Sequence, residues 1–194
     1  LLELYPNAPL RETMARAGWS QAPDDDAADM YLMAMERLEE GGLEQYEISN
    51  LAAPGRRCQH NMKYWTDGEW AGFGPGAHST RHRVRWNNVG GTLEYTRRIE
   101  AGEPVVASRR LLGPREALEE ALFMGLRLRD GVSCEALGAR YGVDIWAVYG
   151  ERLEPAIDAG LLIRQGECLR LTRPGMLMAN EVMAAFLRTD STVE

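Results

Sequence analysis

Apolar positions near the start of the chain come in short runs broken by turn residues. From about Glu103 onward they recur at helical spacing. Leu1–Tyr5 is a short apolar run halted by Pro6-Asn7 and predicts a buried strand. Leu10–Ala17 predicts a short helix before Gly18. Pro23 and Asp24-Asp25-Asp26 mark the start of another, because proline suits the first turn and carboxylates favour the positive end of the helix dipole. Ala28, Tyr31, Leu32, Met35 and Leu38 repeat at helical spacing until Gly41-Gly42. Glu44–Ser49 reads as a second strand and Glu69–Gly74 as a third. Strand, helix and strand joined by short links predict an α/β unit with parallel strands, part of a barrel or sheet whose open edge needs a cover.

Beyond Glu103 the expectation is helical. Pro114 opens a helix through Leu118, Leu122, Gly125 and Leu126, and Ser133 caps a short one ending at Gly142. A third runs from Ile145 to Ala159 with Val148, Tyr149, Leu153 and Ile157 on one face, stopped by Gly160. Leu161–Arg164 and Cys168–Leu171 flank Gln165-Gly166-Glu167 as a hairpin, and Thr172 caps a closing helix. The expected organisation is an α/β part over residues 1–103 and a winged-helix-like part over 104–194. The helix before the hairpin carries Glu151, Glu154 and Asp158 against Arg152, a poor match for phosphates. No nucleic-acid partner is expected, and a protein-contact role is preferred.

Composition changes little in this picture. With 194 residues, 45% apolar and 26% charged, the chain has the makings of a soluble globular protein with a real core. The net charge of -7 argues against general nucleic-acid binding, although arginines crowd the stretch from Arg81 to Arg115. The 3 cysteines, Cys58, Cys134 and Cys168, are too far apart for a metal knuckle, and their odd number suits a reducing cytoplasm. No apolar run reaches membrane-span length and no signal core precedes the first helix. The chain starts on Leu1 without an initiator methionine, so it is expected to be part of a longer protein.

Candidate chemistry is concentrated between Tyr46 and Ser79. The letters of GFGPGAH match a dinucleotide fingerprint, but Pro75 interrupts them and no amphipathic helix follows, which excludes a Rossmann site. The glycines instead allow close backbone approach at a strand end. Ser79 lacks a nucleophile elbow, and Cys58 near His60 lacks an orienting third group, so neither supports a hydrolase. In His60-Asn61-Met62-Lys63-Tyr64-Trp65 a local helix would put His60 and Tyr64 on one face with Trp65 beside them. Such an imidazole can ligate haem iron with the aromatics against the porphyrin. Equally, it can be an ordinary loop histidine beside two packing aromatics. Spacing alone leaves both readings open.

Three stretches carry a resemblance: QYEISNLAAPGRRCQHNMKYW, GEWAGFGPGAHS and GLLIRQGECLRLTRPGMLMAN. Together with LYPNAPL at the start, they resemble the C-terminal half of the HemW-type haem chaperones. These are radical-SAM relatives of oxygen-independent coproporphyrinogen III oxidase. The resemblance spans essentially the whole chain and implies the C-terminal part of a partial (β/α) barrel followed by a winged-helix-like domain. It implies haem binding, with His60 as iron ligand, Asn61, Tyr64 and Trp65 completing the HNxxYW motif, and delivery to haem-requiring respiratory enzymes. Gly72, Gly74 and His78 match the glycine-rich turn near the family's S-adenosylmethionine site. The family's [4Fe–4S] cluster needs C-x3-C-x2-C, which this chain lacks, so no catalysis is expected from it alone. A missing N-terminal barrel half is the expected partner, with a homodimer over the open edge as another. The alternative functions are part of a coproporphyrinogen III oxidase in porphyrin biosynthesis, or a winged-helix interaction module.

Overall fold

The computed structural model describes residues 8–187. The strand expected at Leu1–Tyr5 lies outside them. The rest is a mixed α/β arrangement of short helices and three small sheets.

Helix α1 (Pro9–Ala17) has proline in its first turn and ends on Gly18 in the left-handed conformation. In α2 (Asp24–Glu40) the three aspartates occupy the first turn and Arg37 the last, matching the helix dipole at both ends. Only Met35 of α2 is buried. Tyr31 uses its hydroxyl to reach the Ile48 carbonyl at 2.7 Å, which fixes α2 to the following hairpin.

That hairpin is the first correction. The expected second strand is β1 (Glu44–Glu47), and it turns back at once into β2 (Asn50–Ala52). Every strand pairing among the described residues is antiparallel, so no parallel α/β unit is formed there. Glu47, fully buried, accepts from the Ser49 amide at 2.9 Å and from Asn50 Nδ2, which closes the turn locally and favours the hairpin. The expected third strand, Glu69–Gly74, does not form either. Trp70 makes one isolated bridge with Thr80, after which the glycines bend the chain away.

After α3 (Gln59–Trp65) comes a three-stranded sheet unforeseen in the sequence: β3 (His78–Arg81), β4 (Val84–Asn88) and β5 (Val106–Leu111), in that order. His82 and Arg83 make the tight β3–β4 turn with positive φ, a conformation that costs non-glycine residues energy. The amphipathic α4 (Thr92–Glu100) joins β4 to β5. Strand β5 starts after residue 103, so this sheet spans the junction expected at 103/104.

The core lies C-terminal to it. Helix α5 (Pro114–Gly125) buries Ala117, Leu118, Ala121, Leu122 and Gly125. Next are β6 (Val132–Ser133), α6 (Cys134–Tyr141) and α7 (Ile145–Asp158). Ser133 Oγ accepts the Ala136 amide at 3.1 Å, and the Asp144 carboxylate accepts two amides at the start of α7. Helix α7 buries Ile145, Tyr149 and Leu153; Val148, expected on that face, is exposed. Strands β7 (Leu162–Gln165) and β8 (Cys168–Leu171) form the expected hairpin, and the sheet order is β6-β8-β7. The single closing helix expected after Thr172 is two: α8 (Arg173–Leu177) and α9 (Ala179–Ala184), separated where Met178 leaves helical geometry. Leu118, Leu122, Leu126, Leu153, Leu169, Met183 and Phe186 pack into one cluster at the centre of this part.

Candidate functional site

Helix α3 is only seven residues long and buries none of them, so its position depends on its neighbours. Its anchor is Trp65. That residue follows His60 by five positions, about 140° round the helix, and so faces away from it. The Arg127 guanidinium lies 4.6 Å from the centre of the Trp65 ring and pairs with buried Glu47 at 3.2 Å. Trp65 is therefore a packing residue against the α5 side, not a companion of His60.

Tyr64 is that companion. Its hydroxyl shares a hydrogen bond with His60 Nε2 at 3.2 Å, and the two rings meet edge to face at 5.1 Å. Trp70 packs on the other side of Tyr64, with ring centres 4.6 Å apart. The sequence expectation of one face for His60 and Tyr64 matches this geometry.

The glycine-rich turn faces these rings. A β-carbon on Gly72 would collide with the His78 carbonyl oxygen, so only glycine lets the turn lie against β3. The Gly72 amide donates to Ser79 Oγ at 2.9 Å, while Asn88 Nδ2 donates to the Gly74 carbonyl at 2.9 Å. Gly74, at φ 101, supports the turn from within: its amide donates to the Tyr95 hydroxyl on α4 at 3.2 Å.

The result is an open cleft of about 550 Å³ between α3 and the turn. His60, Tyr64, Gly72 and His78 line it; Asn61, Trp65 and Gly74 do not. Lys63, Trp70 and Phe73 line it as well, and none of the three was singled out from the sequence. Phe73 is 89% exposed at the cleft edge. Aromatics interleaved with glycines in GEWAGFG were the available signal. No carboxylate lines this cleft, and Lys63 adds a positive charge.

Behind the cleft, Tyr64 and Trp70 also wall a small polar cavity of about 60 Å³ against α5 and α6. There Arg85 meets Glu120 through two bonds of 2.8 and 2.9 Å, and the Tyr141 hydroxyl donates to Asp67 at 2.6 Å. Burial, then that bond to a carboxylate, pushes the Tyr141 hydroxyl well above the usual phenol range. These contacts hold the back of the cleft to the helical part. A larger depression of about 720 Å³ between α6 and α7 carries Glu135, Asp144 and Glu167 and no imidazole.

The aromatic, imidazole-bearing cleft has the chemistry to take a flat, carboxylate-bearing macrocycle. It does not suit an iron–sulfur cluster. Cys58 is exposed, Cys134 is buried and none of the three cysteines lines the cleft. Among the described residues no group of three or more His, Cys, Asp or Glu could hold a metal ion.

Comparison with known proteins places the chain. Residues 112–178 match the HemN C-terminal domain. The chain is 36% identical over 166 residues to the haem chaperone HemW of Bacillus subtilis, covering 85% of this chain and 44% of that protein. It is 36% identical over 173 residues to HemW of Mycobacterium tuberculosis, covering 89% and 42% respectively. Over most of its length the chain is thus similar to HemW-type haem chaperones, and residues 112–178 carry a HemN-type C-terminal domain. It spans less than half the length of these relatives. The fold also matches that of the radical SAM enzyme coproporphyrinogen III oxidase (HemN) from Escherichia coli. That match has a TM-score of 0.68 at 13% identity and covers 86% of this chain and 42% of the other. No helix among the described residues is long and apolar enough to cross a membrane.

Proposed function

We propose that this chain is the haem-handling part of a haem chaperone that delivers haem to respiratory enzymes in the cytoplasm. The observation that carries the reading is the common cleft of His60, Tyr64, Trp70 and the glycine turn. His60 is the iron ligand. Tyr64 orients its imidazole through the shared hydrogen bond at Nε2, which leaves Nδ1 to the iron, and Trp70 and Phe73 offer flat surfaces to the porphyrin. Lys63 gives the porphyrin carboxylates a counter-charge. The relatives' names and the HNxxYW motif support the same reading.

The [4Fe–4S] cluster and S-adenosylmethionine belong, in this proposal, to an N-terminal barrel portion of the complete protein, which residues 8–103 would extend. The order β6-β8-β7, with α6 and α7 between β6 and β7, supports a winged-helix-like C-terminal part. The acidic surface of α7 makes a protein its preferred partner over nucleic acid. An oxidase reading has the shared fold of HemN and the HemN C-terminal domain behind it, and neither separates an oxidase from a chaperone.

The test is a haem titration of the full chain beside His60→Ala, followed in the Soret band. Saturable binding that weakens at least tenfold in the variant is expected. Equal binding by both would overturn the assignment of His60.

A further inference from the structure

A series of side-chain contacts runs from the helical part to the cleft. Arg85 on β4 donates to Glu120 on α5 in two bonds of 2.8 and 2.9 Å. The same guanidinium lies 5.9 Å from the centre of the Trp70 ring. Trp70 packs on Tyr64 with ring centres 4.6 Å apart, and Tyr64 shares its hydrogen bond with His60 Nε2 at 3.2 Å. We propose that Arg85, held by Glu120, is a positioning residue for His60: it clamps Trp70, Trp70 clamps Tyr64, and Tyr64 fixes the imidazole. The haem reading above is needed only for what that imidazole then binds.

His60 requires such support. It is exposed, and α3 buries none of its residues. An exposed side chain hops between rotamers unless a neighbour holds it. Tyr64 is that hold, and by engaging Nε2 it leaves Nδ1 as the free nitrogen. The nearest ring to Tyr64 is Trp70, closer than His60 at 5.1 Å or Trp65 at 6.4 Å. Two backbone bonds to Thr80, of 3.1 and 3.0 Å, pin the main chain of Trp70 but leave its ring to be oriented by what packs on it. A guanidinium near an indole face favours one orientation. Tyr64, Trp70, Arg85 and Glu120 wall the same small cavity, which leaves the rings little room to swing away.

A simpler reading is that Arg85 and Glu120 only tie the sheet to α5. A second pair already makes that tie. Arg110 of β5 lies opposite Arg85 in register and bonds Glu116, also on α5. Among the described residues Arg110 stands over no aromatic ring, whereas Arg85 stands over Trp70. The two pairs therefore share the tie to α5, and only one of them reaches the cleft wall.

The test compares the full chain with its Arg85→Met, Glu120→Gln and Arg110→Met variants. Nuclear magnetic resonance of the haem-free chain reads the ring-to-ring Overhauser contact between His60 and Tyr64, and a ferric haem titration reads affinity. Arg85→Met should lose most of that contact and bind haem about threefold more weakly, the effect of one modest cation–π contact. Glu120→Gln, which leaves the arginine in place, should weaken both to a lesser degree, and it decides alone if Arg85→Met does not fold. Arg110→Met, which cuts the other tie to α5, should change neither. No His60–Tyr64 contact in the wild type, an unchanged contact in Glu120→Gln and any folded Arg85→Met, or an equal loss in Arg110→Met would overturn the inference whatever haem does. Loss of the contact in Arg85→Met, with no saturable haem binding by the wild type, would overturn the haem reading and leave the positioning role standing.

Discussion

The guanidinium of Arg127 lies over the ring of Trp65 at 4.6 Å while its far end pairs with Glu47, a carboxylate with no exposed surface. One side chain thereby joins α3, the β1–β2 hairpin and the segment after α5. Arg127→Leu should destabilise the chain by about 3–5 kcal/mol, since it leaves a buried charge without its partner. Adding Glu47→Gln to that variant keeps the acceptor for Ser49 and removes the charge, so it should recover part of the loss. Urea denaturation of the two variants checks this, and equal stability of both would contradict it.

Gly72→Ala should cost about 1–3 kcal/mol and weaken haem binding, because the new methyl must displace the His78 backbone. Gly55→Ala, strained at φ 73 but with nothing close to its added carbon, should lower stability without touching haem affinity. Thermal melts and haem titrations of the pair separate the two effects.

Cys134 sets an alkaline limit. Burial, helped by the nearby Glu167, pushes its thiol up from 9.0 to about 11. Above pH 9 the unfolded chain loses this proton while the folded chain keeps it, so folding stability falls as pH rises from about 9 to about 11. Tyr31, Tyr141 and Tyr149 are raised as well and act in the same direction. Denaturation midpoints across this window should drop less steeply in Cys134→Ala. In the native chain a thiol reagent should label exposed Cys58 first and reach Cys134 only on unfolding.

Helices α1 and α2 bury almost nothing: of their residues only Met35 is buried, while Met30 and Met33 and the adjoining Trp19 are exposed. We expect this chain to self-associate through that face. Light scattering should show dimers or larger species, and Trp19→Ser with Met33→Ser should reduce them. A monodisperse wild-type monomer would contradict the expectation.

The helices around the β7–β8 hairpin were legible because they carry their own punctuation, whereas α4, which no side chain caps, was not. Ser133, Asp144 and Thr172 cap by direct side-chain bonds, and Gly142 and Gly160 follow their helices with positive φ. The sheet of β3, β4 and β5 was not. Its residues are half polar and rich in arginine, and all six positions of β5 are exposed, so no alternation of apolar and polar betrays the strand. The Glu69–Gly74 stretch had the reverse problem, since Trp70 and Phe73 suggested a strand that the glycine backbone abandons. At the site, helical periodicity put His60 beside Tyr64 and turns Trp65 about 140° away from His60, but it could not reveal what Trp65 packs against. That depends on Arg127, far along the chain.

Strand β5 has a mechanical meaning for the cleft. It is hydrogen-bonded along β4, whose partner β3 carries His78, and it runs through Leu112 and Gly113 directly into α5. A rotation of the helical part would pull on that ladder, and with it on the wall bearing His78, while Arg127 transmits the same movement to α3. Both sides of the cleft are thus tethered to the same helical body, and a strain placed on that body reaches the two sides together.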